Sequence, residues 1–131
     1  MVVIKDMSFK AGQELKISGK AKSATSFCLE VGHNEDSIAM HFNPRFDEHG
    51  DVNTIVCNSK HGDCWDEEFR ETCFPFQPDE DFKIVISFNN ETFYVNLPDG
   101  NMMHFPNRFG DDKFKYLCFK GDCKIYSVKI K

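Results

Sequence analysis

Apolar residues along this chain fall into short runs that alternate in polarity with a period of two. Phe27-Cys28-Leu29-Glu30-Val31, Asp51-Val52-Asn53-Thr54-Ile55-Val56-Cys57 and Phe82-Lys83-Ile84-Val85-Ile86-Ser87-Phe88 are rich in β-branched and aromatic residues, as are Thr92-Phe93-Tyr94-Val95-Asn96-Leu97 and Lys124-Ile125-Tyr126-Ser127-Val128-Lys129-Ile130. Such composition suits a pleated, half-buried surface. Glu48-His49-Gly50, Asn89-Asn90, Pro98-Asp99-Gly100 and Lys120-Gly121-Asp122 separate the runs with turn-forming chemistry. No 3.6-residue pattern lies between them. The expectation is an all-β chain, an antiparallel sandwich or barrel. At 131 residues, with no linker, repeat or low-complexity tract, it reads as one domain, residues 1–131.

The run Ile38-Ala39-Met40-His41-Phe42-Asn43-Pro44-Arg45-Phe46 carries the most chemistry. Alternation puts Phe42, Pro44 and Phe46 on one face and His41, Asn43 and Arg45 on the other, at about 7 Å spacing. An imidazole, an amide and a guanidinium in a row both donate and accept hydrogen bonds, which suits a neutral polyhydroxylated ligand. The same alternation also describes the solvated outer face of an ordinary sheet. Pro44 has no N–H for a ladder, so the strand should be distorted or locally unpaired there.

Downstream, Trp65-Asp66-Glu67-Glu68-Phe69-Arg70 holds the one tryptophan of the chain and one of its three arginines. An aromatic plate beside charged hydrogen-bonding groups is the chemistry of a galactose site: the C–H face of the sugar lies on the indole and its hydroxyls reach polar groups at the edge. Trp65 has an alternative as a core residue, but Asp66, Glu67 and Glu68 make burial awkward. Glu68 is expected between Arg45 and Arg70, held by bidentate contacts.

Composition narrows the classes. A net charge of −5 at pH 7 lacks the basic footprint that nucleic acid or a polybasic membrane contact requires. Hydrophobic content of 40%, with 14 phenylalanines, supplies a core. Met1-Val2-Val3-Ile4 meets Lys5 and Asp6 too early for a secretory signal, so synthesis in the cytosol is expected, with any export by a route that reads no such signal. The six cysteines (Cys28, Cys57, Cys64, Cys73, Cys118 and Cys123) are then expected as reduced thiols. Without CxxC or HExxH, neither a metal nor a cofactor is expected. Asn90-Glu91-Thr92 is a formal glycosylation acceptor in a chain not expected to meet the machinery.

Together, His41-Phe42-Asn43-Pro44-Arg45, Val56-Cys57-Asn58, and Trp65 with Glu68 and Arg70 resemble the signature of galectins, the S-type lectins. Arg45-Phe46-Asp47-Glu48-His49-Gly50-Asp51, Arg70-Glu71 before Phe74-Pro75-Phe76, and Phe105-Pro106-Asn107-Arg108 extend the match over essentially the whole chain, with one-domain, prototype spacing. The resemblance implies a two-sheet antiparallel β-sandwich of jelly-roll, concanavalin-like type. It implies metal-independent binding of β-galactosides such as lactose and N-acetyllactosamine. His41, Asn43 and Arg45 would engage the axial 4-hydroxyl, Asn58 and Glu68 the 6-hydroxyl, and Trp65 the ring. Glu68 and Arg45, with Arg70 ordering them, would reach the adjoining sugar. His49 and Asp51 would lie in a loop that borders that sugar and pairs with the arginine network, and Ser26, Cys28 and Glu30 would line the groove beyond galactose.

The resemblance also implies a homodimer through the terminal strands, cross-linking glycoproteins and glycolipids at cell surfaces or in matrix. A galectin-fold protein without sugar binding is one alternative, though all seven core positions are present. A glycoside hydrolase is another. It would need Glu68 and Asp51 as a catalytic pair, but carboxylates beside arginines have lowered pKa values where a general acid needs a raised one.

Overall fold

The computed structural model describes residues 1–22 and 25–131. In chain order its strands are β1 (Val2–Ile4), β2 (Phe9–Lys10), β3 (Leu15–Ala21), β4 (Phe27–Asn34), β5 (Ser37–Glu48), β6 (Asp51–His61) and β7 (Cys64–Trp65). There follow β8 (Phe69–Glu71), β9 (Asp81–Phe88), β10 (Thr92–Asn96), β11 (Met102–Pro106), β12 (Lys113–Phe114), β13 (Tyr116–Gly121) and β14 (Cys123–Ile130). No helix occurs among the described residues, and none is long and apolar enough to cross a membrane.

Every pairing is antiparallel. One sheet runs β1-β13-β4-β5-β6-β7, with β8 also on β6; the other runs β11-β10-β9-β3-β14; β12 and β2 form a small ribbon. Burial follows the alternation: β3 is inward at Leu15, Ile17 and Ala21, and β9 at Phe82, Ile84, Ile86 and Phe88. The sheets meet through aromatic side chains. Phe27 of β4 stacks on Phe82 of β9 at 5.1 Å between ring centroids, and Phe42 of β5 reaches Phe76 edge-on. Fully buried phenylalanines such as Phe42, Phe93 and Phe105 anchor this shared core, each stabilising by about 2–3 kcal/mol through removal of apolar surface from water. The all-β, two-sheet antiparallel sandwich expected from the pattern is the fold observed.

The longest hairpin, β5 with β6, carries most of the site. Its two-residue loop is His49-Gly50, between the paired Glu48 and Asp51. Both loop residues have positive φ, 51° and 81°, the backbone a type I′ turn requires and one that twists with the strands. This turn locks the register, and with it which side chains share the outer face.

Candidate sugar-binding site

Register assembles the outer face. On β5, His41 lies opposite Glu30 of β4 and Asn58 of β6, while Asn43 faces Val56. On β6, Val56 lies opposite Arg70 of β8, and Lys60 opposite Trp65 of β7. Residues far apart in the chain thus form one polar surface, and β7 and β8 are short strands whose work is to deliver Trp65 and Arg70 to it.

Pro44 shapes the row as its chemistry requires. Pairing of β5 with β4 stops at Leu29 opposite Phe42 and resumes only at an isolated bridge between Ser26 and Arg45. That register puts Phe27 opposite Pro44, whose missing N–H leaves the Phe27 carbonyl without its ladder donor. The side chain of Asn43 takes its place, Nδ2 donating to Phe27 O at 2.8 Å. Asn43 is 7% exposed, and its Oδ1 accepts from Arg45 Nε at 2.9 Å. One bond satisfies a buried carbonyl and also fixes the orientation of a recognition amide.

From Arg45 the network runs outward. Arg45 Nη1 donates to Asp51 Oδ2 at 2.8 Å. Arg70 donates to both Asp51 oxygens, each at 3.3 Å, and pairs with Glu68 Oε1 at 3.0 Å. The carboxylate between the two arginines is therefore Asp51 and not Glu68, which among the described residues meets Arg70 alone. The cause is the tight turn, which returns the chain at Asp51 beside the end of β5; Glu68 lies farther out, just before β8. Hydrogen bonds from Arg70, with those from Arg45, hold the Asp51 carboxyl below its usual range against the desolvation that would raise it. Among the described residues Arg45 Nη2 has no protein partner, leaving a fixed donor for a ligand.

Asn58 is 6% exposed. Its Nδ2 donates to Asp66 O at 2.8 Å, and its Oδ1 accepts from Arg108 Nη1 at 3.1 Å. Arg108 also donates to Ser59 Oγ and to Glu67 O, clamping the Asp66-Glu67 segment that carries Glu68. Sequence reading noted Arg108 as a landmark without a role; its charge is used here in positioning. Trp65 is 48% exposed, with the His41 ring edge-on to it at 5.0 Å and Lys60 Nζ at 5.4 Å from its centroid. The core alternative for Trp65 is excluded by that exposure. His41, Arg45, Asn58, Trp65 and Glu68 border a shallow basin of ≈ 470 Å³. A roomier cavity of ≈ 530 Å³ by Met1, His33 and Tyr116 lies off this row and lacks its aromatic plate.

The peripheral positions divide. A second basin of ≈ 320 Å³ continues past His41 and Arg45 to Ser26, Cys28, Glu48, His49 and Lys120. Ser26 donates to Glu48 Oε2, and His49 sits out on the turn, 3.2 Å from Glu48. Glu30 is 2% exposed, bonded to His41 Nδ1 at 2.7 Å and 3.2 Å from Lys120 Nζ. Desolvation acts to raise its carboxyl, but His41 and Lys120 outweigh it and hold the group below the ordinary value. Burial, with the Glu30 charge, pushes the Cys28 thiol up to about 12. Sequence reading did not single out Lys120, although alternation along β13 from Cys118 would have placed it on this face.

Comparison with known proteins agrees with this geometry. The galactoside-binding lectin family model matches residues 1–130. A β-galactoside-binding lectin of Electrophorus electricus is 47% identical over 131 residues, covering 99% of this chain and 97% of that one. Galectin-1 of Ovis aries is 45% identical over 128 residues, covering 97% and 95%. Among solved structures, lactose- and MES-liganded congerin II superposes with a TM-score of 0.96 at 36% identity, covering 99% and 98%. A homodimeric agglutinin from chicken liver gives 0.95 at 41% identity, with the same coverage. A β-sandwich whose outer face carries the His41-Asn43-Arg45 row beside Trp65 thus belongs, by sequence and by structure, to the galactoside-binding lectins, the galectin family.

Proposed function

We propose that this chain binds β-galactosides of the lactose and N-acetyllactosamine class, without catalysis, through the face built on β5, β6, β7 and β8. The observation that carries this is the unbroken run Asn43–Arg45–Asp51–Arg70–Glu68, ion-paired and hydrogen-bonded, beside a half-exposed indole. Arg45, with His41 and Asn43, meets the 4-hydroxyl, which is axial in galactose and equatorial in glucose. Asn58 and Glu68 bind the 6-hydroxyl, and Trp65 stacks on the C–H face. Arg45 and Glu68, ordered by Asp51 and Arg70, reach the adjoining sugar, which His49 borders. Fixed guanidinium charge orients the hydroxyls, so sugar recognition needs no metal.

Binding without turnover is supported by Asp51. Its carboxyl is held down by two arginines, the opposite of what a general acid requires. Retention on lactose-agarose with release by free lactose, and no release by glucose, tests the reading. Free galactose accumulating from lactose would overturn it.

Cross-linking requires two sites per particle. The outer strands at the chain ends, β1 and β14, are each an edge of their sheet, with Val2, Val3 and Tyr126 exposed. A twofold pairing of these edges buries the apolar side chains and continues both sheets. The homodimeric chicken agglutinin supports a dimer. A 15 kDa species in sedimentation at micromolar concentration would refute it. We further propose synthesis in a reducing compartment, where the six free cysteines would stay thiols, and action on surface glycans after export.

A further inference from the structure

Beside the sugar-facing row lies a cluster that galactoside recognition leaves unused. Glu30 is opposite His41 across the β4–β5 pairing, and Cys28 sits two residues earlier on the same face of β4. One donor atom each from Cys28, Glu30 and His41 lie within 4.8 Å of one another. No sequence spacing reveals the trio, because two donors come from β4 and the third from its neighbour. A thiol sulfur, a carboxylate oxygen and an imidazole nitrogen are the donor types that zinc and its relatives select. A tetrahedral ion with bonds of about 2.0–2.3 Å separates its donors by roughly 3.3–3.7 Å, so the trio closes on one with shifts of about 1 Å or less.

A second observation points the same way. Glu30 is buried, and among the described residues its Oε1 meets only the Lys120 ammonium, as an ion pair at 3.2 Å. Coordination would exchange that pair with a mobile side chain for a directed bond. The Lys120 side chain is 45% exposed, so an arriving cation can displace its ammonium into solvent. The ion must also displace the thiol proton of Cys28, which favours thiophilic metals over magnesium or calcium.

We propose that Cys28, Glu30 and His41 form a site for a zinc-class divalent cation, with its fourth position open to solvent. Resting on the galactoside reading, the site is coupled to the sugar face because His41 serves both. Without metal, His41 Nδ1 bonds Glu30 Oε2 at 2.7 Å. With metal on Nδ1 that bond is broken, and Nε2 carries the ring's one proton as a donor. Loading therefore changes what His41 can offer a hydroxyl.

Cobalt(II) titrated into the full chain, kept reduced with a phosphine, reads the site independently of sugar. The expected result is a saturable thiolate-to-cobalt charge-transfer band with tetrahedral visible bands, lost in Cys28→Ser and retained in Cys64→Ser. Glu30→Gln should weaken cobalt binding by about tenfold or more. Cys28→Val repeats the test with packing preserved should the serine variant fail to fold. Absence of the band, or an unchanged band in the folded Cys28 variants, overturns the site. Lactose affinity with and without saturating zinc reads the coupling. A shift of several-fold is expected, and an unchanged affinity overturns the role of His41 as shared ligand.

Discussion

Trp65→Ala tests the stacking role directly, because half of the indole is held out at the surface. With 48% of the residue exposed, roughly 120 Å² is open to solvent, from a side chain of up to about 250 Å². A sugar on one face covers about half of that and buries a similar area of its own. Some 120 Å² at about 25 cal/mol per Å² gives a loss near 3 kcal/mol. Lactose binding should therefore weaken by about a hundredfold, enough to abolish column retention. The cost to folding is of the same order. The other half of the residue packs against the protein, His41 and Lys60 included, and losing about 100–130 Å² of that burial costs about 2–3 kcal/mol. That lowers Tm by roughly 8–15 °C, so binding is measured well below the melt. Isothermal titration with lactose, alongside a thermal melt, measures both. A folded variant that binds within threefold of wild type would falsify the stacking role.

Three further outcomes follow from the same geometry. Arg45→Lys removes a fork that bonds Asn43 and Asp51 at once; a single ammonium cannot replace it, so lactose titration should show binding weaker by about tenfold or more, and normal affinity would exclude Arg45 as the organising donor. Glu30 has a carboxyl lowered from 4.5 by His41 and Lys120, so its stabilisation is present above that pH and is lost as pH falls through the folded value. Denaturant unfolding of wild type and Glu30→Gln should accordingly converge in stability on acidification, and a gap that widens would contradict this. Exposed Cys64 should react first with iodoacetamide, whereas buried Cys28, Cys57 and Cys118 should resist until unfolding; peptide mapping by mass spectrometry reads the order, and early labelling of Cys57 would refute the packing.

The His41, Asn43 and Arg45 row was legible in sequence because its residues stand at alternate positions of one strand. A period of two in His41-Phe42-Asn43-Pro44-Arg45 fixes which three residues share the outer face, whatever the strand later pairs with. Pro44 announced a broken ladder for the same local reason. The strands β3, β9, β10 and β11 bury alternate residues, so their character too is written along the chain. Two-residue β7 and three-residue β8 carry no periodicity of their own. They are strands only because β6 offers an edge.

Partnership was decided in three dimensions. From sequence, Glu68 and Asp51 were both carboxylates near arginines; only the His49-Gly50 turn puts Asp51 between Arg45 and Arg70. Arg108 acquires its role by crossing to Asn58 and Ser59, some fifty residues away in the chain. The Cys28, Glu30 and His41 cluster likewise exists through β4–β5 register alone. Local pattern thus determined which face is polar and what chemistry it carries, because alternation depends on backbone geometry within one strand. Tertiary structure decided which polar group meets which, because hydrogen bonds and ion pairs depend on distances that only strand pairing and turns can set.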